Sequence, residues 1–211
     1  MNSPWLKVTA LCSVIMGIVL FCMIFGGYSS FYRSQNRIEN SREILANACQ
    51  QRLDLLPQLS ATLAPGDSYD PIIKNLKQAG KTAQNILNRV ASRENPLDKR
   101  LTLKLEESQD ALAKEIVTVF STLDQTDRQL PVIRERFYTA QNHLFMAKRK
   151  YNDEVNYFNT RTKAFPGVFM AKLFGFNKID YFMLSENSLL PAASTFAAKK
   201  KERSSSSESS T

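Results

Sequence analysis

One uninterrupted apolar run near the start of the chain constrains the fold more than any other feature. The run VTALCSVIMGIVLFCMIF, from Val8 to Phe25, contains no charged residue. Extended through Gly27 as a helix, it rises about 30 Å, which matches the hydrocarbon core of a bilayer. The sequence therefore predicts a single transmembrane anchor over residues 1–27.

A cleaved signal peptide is the alternative interpretation of this run. Only Lys7 is charged in the segment before the run, and the run exceeds the apolar core of about 7–15 residues that signal peptides use. Trp5 on one side, with Tyr28 and Tyr32 on the other, is typical of a spanning helix anchored at the headgroup level. These features favour a retained anchor.

The basic residues beside the run favour one orientation. Lys7 precedes the run, whereas Arg33, Arg37 and Arg42 follow it. Because the more positive side of a spanning helix tends to remain in the cytoplasm, we expect a single-pass protein with a cytoplasmic C-terminal domain.

The prolines divide the rest of the chain into four helical segments. Long stretches rich in helix formers lie between them. The sequence predicts helices over Tyr28–Ala64, Pro71–Arg93, Leu97–Leu123 and Pro131–Ala164, with Asp67 and Asp127 as caps and Pro71 and Pro131 in first turns. The first of these is expected to continue from the apolar run. Short connections favour antiparallel neighbours, so we expect an all-α fold, an N-terminal transmembrane helix followed by an elongated antiparallel four-helix bundle over residues 28–182.

Apolar periodicity is clearest in the last predicted helix. Steps of four and three residues, typical of a coiled-coil seam, connect Ile133, Phe137, Ala140, Leu144, Ala147, Tyr151, Val155, Phe158, Thr162 and Phe165. The charged residues between them, including Glu154 and Arg161, are typical of a solvated surface. In the first helix, Arg52 falls on the apolar stripe, which predicts a carboxylate partner, and Pro57 predicts a kink.

The chain lacks the residue patterns of the common enzyme classes. His143 is the single histidine, and no Walker A, GxGxxG, HExxH, CxxC or GxSxG pattern is present. Cys49 is the single cysteine beyond the apolar run, so the folded region forms no internal disulfide. We therefore expect no enzyme activity, cofactor or metal site. A hydrolase that uses His143 or a carboxylate pair is the alternative.

The net charge of +8 does not indicate a nucleic-acid partner. The basic residues are scattered among acids, and the aromatic residues of the last helix lie on its seam. Residues 183–211 are rich in Ser and Lys, which predicts a disordered tail. The Lys199–Arg203 run makes binding of anionic lipid an alternative role for this tail.

The segment Phe165–Phe176 is more apolar than a loop requires, with four phenylalanines in twelve residues. It is either a lid that closes the end of the bundle or an exposed patch for a protein partner or the bilayer. If the first helix leaves the membrane, the last returns toward it, so this segment is expected near the membrane. The candidate contact residues are Phe165, Pro166, Gly167, Phe174, Phe176, Tyr181 and Phe182.

Two blocks of the sequence resemble the LemA family. The first, Tyr28–Leu59, contains Asn36-Arg37 and the stretch Arg52-Leu53-Asp54-Leu55-Leu56-Pro57-Gln58-Leu59. The second is the ordered series Tyr151-Asn152, Val155, Tyr157, Asn159, Phe165-Pro166-Gly167, Ala171-Lys172-Leu173-Phe174-Gly175-Phe176 and Tyr181-Phe182.

The resemblance implies an antiparallel helical bundle on a bacterial plasma (inner) membrane, without catalytic residues that can be carried over. We therefore expect a membrane-anchored scaffold or adaptor of the cell envelope that binds a protein partner. An envelope-associated hydrolase and an anionic-lipid-binding membrane organiser are the alternatives.

Overall fold

The computed structural model describes residues 4–62, 70–92, 98–123 and 130–183, and these contain six helices and no strand. The helices are α1 (Pro4–Leu53), α2 (Leu56–Thr62), α3 (Asp70–Ala91), α4 (Lys99–Thr122), α5 (Leu130–Lys163) and α6 (Gly167–Phe174). The predicted caps Asp67 and Asp127 lie outside the described residues, as does the predicted tail beyond Met183. The all-α class is therefore confirmed for the described part of the chain.

Helix α1 is one continuous helix of 50 residues. The expected continuation from the apolar run past Tyr28 is confirmed. Its N-terminal part is long and apolar enough to cross a membrane, and the large apolar side chains from Val8 to Phe25 are exposed.

The prediction of one helix as far as Ala64 is wrong, because α1 ends at Leu53 and α2 begins at Leu56. Pro57 has no N–H to donate to the carbonyl of Leu53, and its ring would clash with that carbonyl. Pro57 instead occupies the first turn of α2, where no such hydrogen bond is needed. Pro71 and Pro131 take the same position in α3 and α5, as predicted.

The start of α4 differs slightly from the prediction. The helix begins at Lys99 and not at Leu97, because Asp98 is its N-cap and accepts a hydrogen bond from the N–H of Leu101 at 2.7 Å. This bond satisfies one of the donors that a helix leaves free at its first turn.

The described residues form two compact units. Unit 1 consists of the residues within 1–40 and 153–179, and unit 2 of those within 41–152 and 180–183. In unit 2, α3 packs along α4. Arg42 of α1 donates to the carbonyl oxygens of Val90 and Ser92 at 2.6 and 2.7 Å. A guanidinium placed there satisfies carbonyls that the end of α3 leaves free and complements the helix dipole.

The predicted seam of α5 is buried from Ile133 to Phe158. It ends there, because Thr162 is only half-buried and Phe165 lies beyond the end of the helix, exposed. The extension of the seam to Phe165 is therefore wrong. Its exposed position makes Phe165 available for contacts outside the core.

Arg52 is buried in unit 2, with 1% of its surface exposed. The expected carboxylate partner is wrong, because Nη1 donates to Oε1 of Gln109 at 3.4 Å and no described carboxylate hydrogen-bonds to it. Burial lowers the pKa of Arg52 to about 10, although the Cys49 thiol and the Asp110 carboxylate favour its charged form.

Candidate functional site beside the apolar segment

An aromatic cluster in unit 1 lies directly after the apolar part of α1. It consists of Tyr28, Phe31, Phe158, Phe174 and Phe176. The ring centroids of Tyr28 and Phe174 are 4.8 Å apart, those of Phe31 and Phe176 5.0 Å, and those of Phe31 and Phe158 5.8 Å. Residues of α1, α5 and the α6 region thus form one apolar contact, in which aromatic rings add specific geometry to area burial.

Two glycines allow α6 to cross α1 closely. A Cβ on Gly167 would lie 2.1 Å from the carbonyl oxygen of Arg161 and 3.3 Å from the ring of Phe31. A Cβ on Gly27 would lie 3.0 Å from the side chain of Met170. The position of α6 against the Gly27–Phe31 turn of α1 therefore depends on the absence of side chains.

Gly175 ends α6 in the left-handed conformation, with φ of 71°. The N–H of Phe176 then donates to the carbonyl of Ala171 at 2.9 Å, as in a helix that ends at a glycine. This turn directs Phe176 back onto the aromatic cluster. The peptide bond between Phe165 and Pro166, at the other end of α6, is cis.

The two sides of α6 have different environments. Met170 and Ala171 are buried against unit 1. Phe165, Phe169 and Leu173 are 78%, 63% and 65% exposed, and the rings of Phe165 and Phe169 are 6.0 Å apart. We call these three residues the apolar face of α6.

Arg161 bridges α5 and α1 beside this cluster. Its Nη1 donates to Oγ of Ser30 at 2.7 Å and to the hydroxyl of Tyr157 at 3.2 Å. Its guanidinium also lies 5.3 Å from the centroid of the Phe31 ring, within the range of a cation–π contact. The Arg161 side chain thus connects α5 to the part of α1 that directly follows the apolar run.

Arg37 makes a second link between the same two helices. Its Nε donates to Oε2 of Glu154 at 3.0 Å, and its guanidinium lies 4.8 Å from the centroid of Tyr157. The hydrogen bond with Tyr157 raises the pKa of Arg37 and lowers the pKa of Tyr157. The sequence patterns did not indicate this contact, because Arg37 and Glu154 are 117 residues apart.

The extended segment after α6 is held by two asparagine side chains of α5. In unit 1, Asn159 donates to the carbonyl of Ile179 at 2.8 Å and accepts from its N–H at 3.0 Å. In unit 2, Asn152 donates to the carbonyl of Phe182 at 2.7 Å and accepts from its N–H at 2.8 Å. Each amide therefore satisfies both polar groups of one backbone residue, in the manner of a strand neighbour.

The end of this segment is packed in unit 2. The ring of Phe182 is 2% exposed and its centroid is 4.9 Å from that of Tyr151. A carboxylate oxygen of Glu106 accepts a hydrogen bond from the N–H of Met183. Burial is the main cause that raises the pKa of Glu106.

The structure thus divides the predicted contact residues. Phe165, Pro166 and Phe174 are exposed, whereas Gly167 and Phe176 are half-buried. In unit 2, Tyr181 is exposed, whereas Phe182 is buried.

His143, the candidate for catalysis, lies in unit 2 on an exposed part of α5. Its Nδ1 is 3.1 Å from Oε1 of Gln51, and it lines an open groove of about 540 Å³ together with Asp54 and Glu135. Within the described ranges, no group of three His, Cys, Asp or Glu residues is placed to hold a metal ion.

The fold defines the class of protein, an all-helical chain with one helix long and apolar enough to cross a membrane. The sequence model of the LemA family matches residues 41–194, and the chain belongs to this membrane-associated family. The matched range includes α3 and α4, which lie between the two blocks of sequence that resemble the family. No curated protein and no solved structure matches the chain.

Proposed function

We propose that this protein is a membrane-anchored, non-enzymatic scaffold or adaptor of the bacterial cell envelope. The observation that carries the proposal is the continuity of α1 from the apolar run to Leu53. Since no loop interrupts it, the helix that enters the bilayer also supplies part of the folded core. A continuous helix of this kind suits a protein that holds a binding surface near a membrane.

In this proposal α1, α3, α4 and α5 form an antiparallel four-helix bundle. Four contacts within unit 2 support it. Arg42 of α1 hydrogen-bonds to Val90 at the end of α3, and α3 packs along α4. The rings of Phe120 of α4 and Phe137 of α5 are 5.7 Å apart. Gln51 and His143 bring α1 and α5 together.

We also propose a single pass through the plasma membrane with the bundle in the cytoplasm, which rests on the basic residues after the apolar run. The test is a variant without native cysteines that carries Met146→Cys on the exposed surface of α5. Its labelling by a membrane-impermeant thiol reagent only after the membrane is broken agrees with the orientation. Labelling in intact spheroplasts contradicts it.

The scaffold role is tested by photocrosslinking in living cells. A photoreactive amino acid at Met146 or Val132, two exposed apolar positions of unit 2, is expected to give protein adducts of defined mass. A matched position in the apolar run, Val14, is expected to give lipid adducts only. The absence of protein adducts at both unit 2 positions counts against a scaffold.

The hydrolase remains the second candidate because His143 shares its groove with the carboxylates of Asp54 and Glu135. Phenotypic complementation of a deletion strain separates the two functions. A scaffold tolerates His143→Ala, since this residue is exposed, whereas a hydrolase loses function with it.

A further inference from the structure

Helix α6 lies where the apolar part of α1 ends. The apolar run ends at Phe25, and Gly27, which contacts Met170 of α6, follows about 3 Å further along the axis of α1. Gly167 at the start of α6 lies against Phe31, one turn beyond. If α1 crosses a bilayer, α6 is therefore held at the level of the headgroups.

The side of α6 that faces away from the rest of unit 1 carries apolar residues. Phe165, Phe169 and Leu173 are each more than half exposed and adjoin one another. The exposed apolar side chains of the α1 run end at Phe25, two residues before Gly27, which lies beside Met170 of α6. A surface that covers the α1 run thus extends naturally onto α6.

The charges around α6 favour an anionic lipid surface over a second copy of the chain as its partner. Residues 155–179 include Arg161, Lys163, Lys172 and Lys178 and no acidic residue. Unit 1 as a whole has seven Lys or Arg against three Asp or Glu in its ranges 1–40 and 153–179. A second copy of this face would bring like charges together, whereas anionic headgroups complement them.

We propose that α6 is an interfacial helix, whose apolar face of Phe165, Phe169 and Leu173 lies in the headgroup boundary of the membrane that α1 crosses. Lys163 and Lys172, near the two ends of α6, extend to anionic headgroups while their aliphatic stems cover apolar surface. This proposal rests on the membrane anchor of the proposed function. It identifies the membrane surface as what contacts the predicted segment. It gives unit 1 a second attachment to the membrane, next to α1.

Tryptophan quenching tests this proposal in the full chain. Trp5 is the single tryptophan, so Trp5→Phe leaves the chain without one, and Phe169→Trp then introduces a reporter on the apolar face. The matched control is Met146→Trp, which is equally exposed but lies in unit 2. Both variants are placed in nanodiscs of zwitterionic and anionic lipid, with circular dichroism to verify that they are folded.

The Phe169→Trp variant is expected to lose most of its emission in lipid brominated close to the headgroup, and less in lipid brominated at the chain end. The Met146→Trp variant is expected to keep its emission in both. Adding Lys163→Gln and Lys172→Gln is expected to weaken the quenching of Phe169→Trp in anionic lipid and leave it unchanged in zwitterionic lipid.

Three outcomes overturn the proposal. Emission of Phe169→Trp that bromolipid leaves intact but an aqueous quencher removes places the face in water. Emission protected from both quenchers places it against protein, as in a dimer. If the nanodiscs do not retain the chain, the anchor itself fails, and the proposed function fails with this proposal. If the nanodiscs retain the chain but bromolipid does not quench the tryptophan of Phe169→Trp, only the interfacial helix is contradicted.

Discussion

The segment from Phe165 to Phe182 has a phenylalanine at each end, yet the environments of these two rings are opposite. Phe165 is largely exposed beside α6, whereas Phe182 is buried against Tyr151. The difference arises from the backbone. Asn152 binds both polar groups of residue 182 and holds its ring inward, whereas Gly167 and Gly175 set α6 so that Met170 faces inward and Phe169 outward. Apolar composition alone does not separate a core from a contact surface.

The largest effect on the free energy of unfolding is expected when the phenylalanine at the buried end is replaced. Phe182→Ala removes a buried ring and leaves a cavity, which is expected to cost about 3–5 kcal/mol of the free energy of unfolding. Phe165→Ala, the matched control, is expected to change it by less than about 0.5 kcal/mol. Denaturant unfolding of the full chain in detergent, followed by circular dichroism, measures both. Equal losses for the two variants refute the division into core and exposed face.

The next largest effect on stability is expected from replacing the glycine at the start of α6. Gly167→Ala places a methyl group against the carbonyl of Arg161, so the backbone must shift, at an expected cost of about 1–3 kcal/mol or more. The control Gly26→Ala meets open space and is expected to be neutral or slightly stabilising, since alanine favours the helix. The same unfolding measurement applies. A neutral Gly167→Ala variant disproves the close approach of the start of α6 to the Arg161 carbonyl of α5.

The asparagine contacts come third. Asn159→Ala leaves the N–H and carbonyl of Ile179 without partners, and a loss of about 1–3 kcal/mol is expected. Hydrogen exchange at the amide of Ile179, measured by NMR in micelles, is expected to accelerate. Asn142→Ala, on the exposed side of α5, is the control and is expected to leave that amide protected. Unchanged exchange in Asn159→Ala shows that the segment is held by other contacts.

The smallest effect concerns Glu106. Because burial raises its pKa above the ordinary value of 4.5, the folded state binds a proton more tightly than the unfolded state. The contribution of Glu106 to stability is thus largest in acid and declines as the pH rises from 4.5 through the raised pKa.

Glu106→Gln is expected to remove this decline. The amide oxygen can still accept from the N–H of Met183, and no buried charge remains, so stability at pH 7 is expected to be equal or higher. Unfolding midpoints between pH 4 and pH 7 provide the measurement. A variant that is markedly less stable at pH 7 shows that the charge itself is needed.

The sequence was sufficient for those features that depend on local spacing. The apolar run, the proline breaks and the α5 seam follow from residues a few positions apart, and Pro57 was correctly identified as a disturbance, although it ends a helix and does not merely kink it. No helix was predicted where α6 lies, within the segment that was predicted to be a lid or an exposed patch. Gly175 directly after Phe174 is the signal that could have revealed its end.

The candidate site could be predicted only in outline. The segment was found from its composition, but its division depends on contacts between distant residues, such as Asn152 with Phe182 and Arg161 with Ser30. Arg52 was expected to need a carboxylate and is instead buried with an amide partner, since no acidic side chain of the described residues reaches it. Contacts between residues that are far apart in the chain cannot be predicted from the local periodicity of the sequence.

We propose that α1 is retained in the mature chain and anchors the folded domain in a membrane. Alkaline carbonate extraction of cell membranes, followed by the intact mass of the extracted chain, tests it most directly. The account predicts a full-length chain in the membrane pellet, and partial release of a variant with Ile15→Lys and Val19→Lys, since each lysine at the centre of a span costs about 2.5–3.5 kcal/mol. A chain that appears in the supernatant, or that lacks its first residues as far as the Gly26-Gly27 pair, contradicts the account.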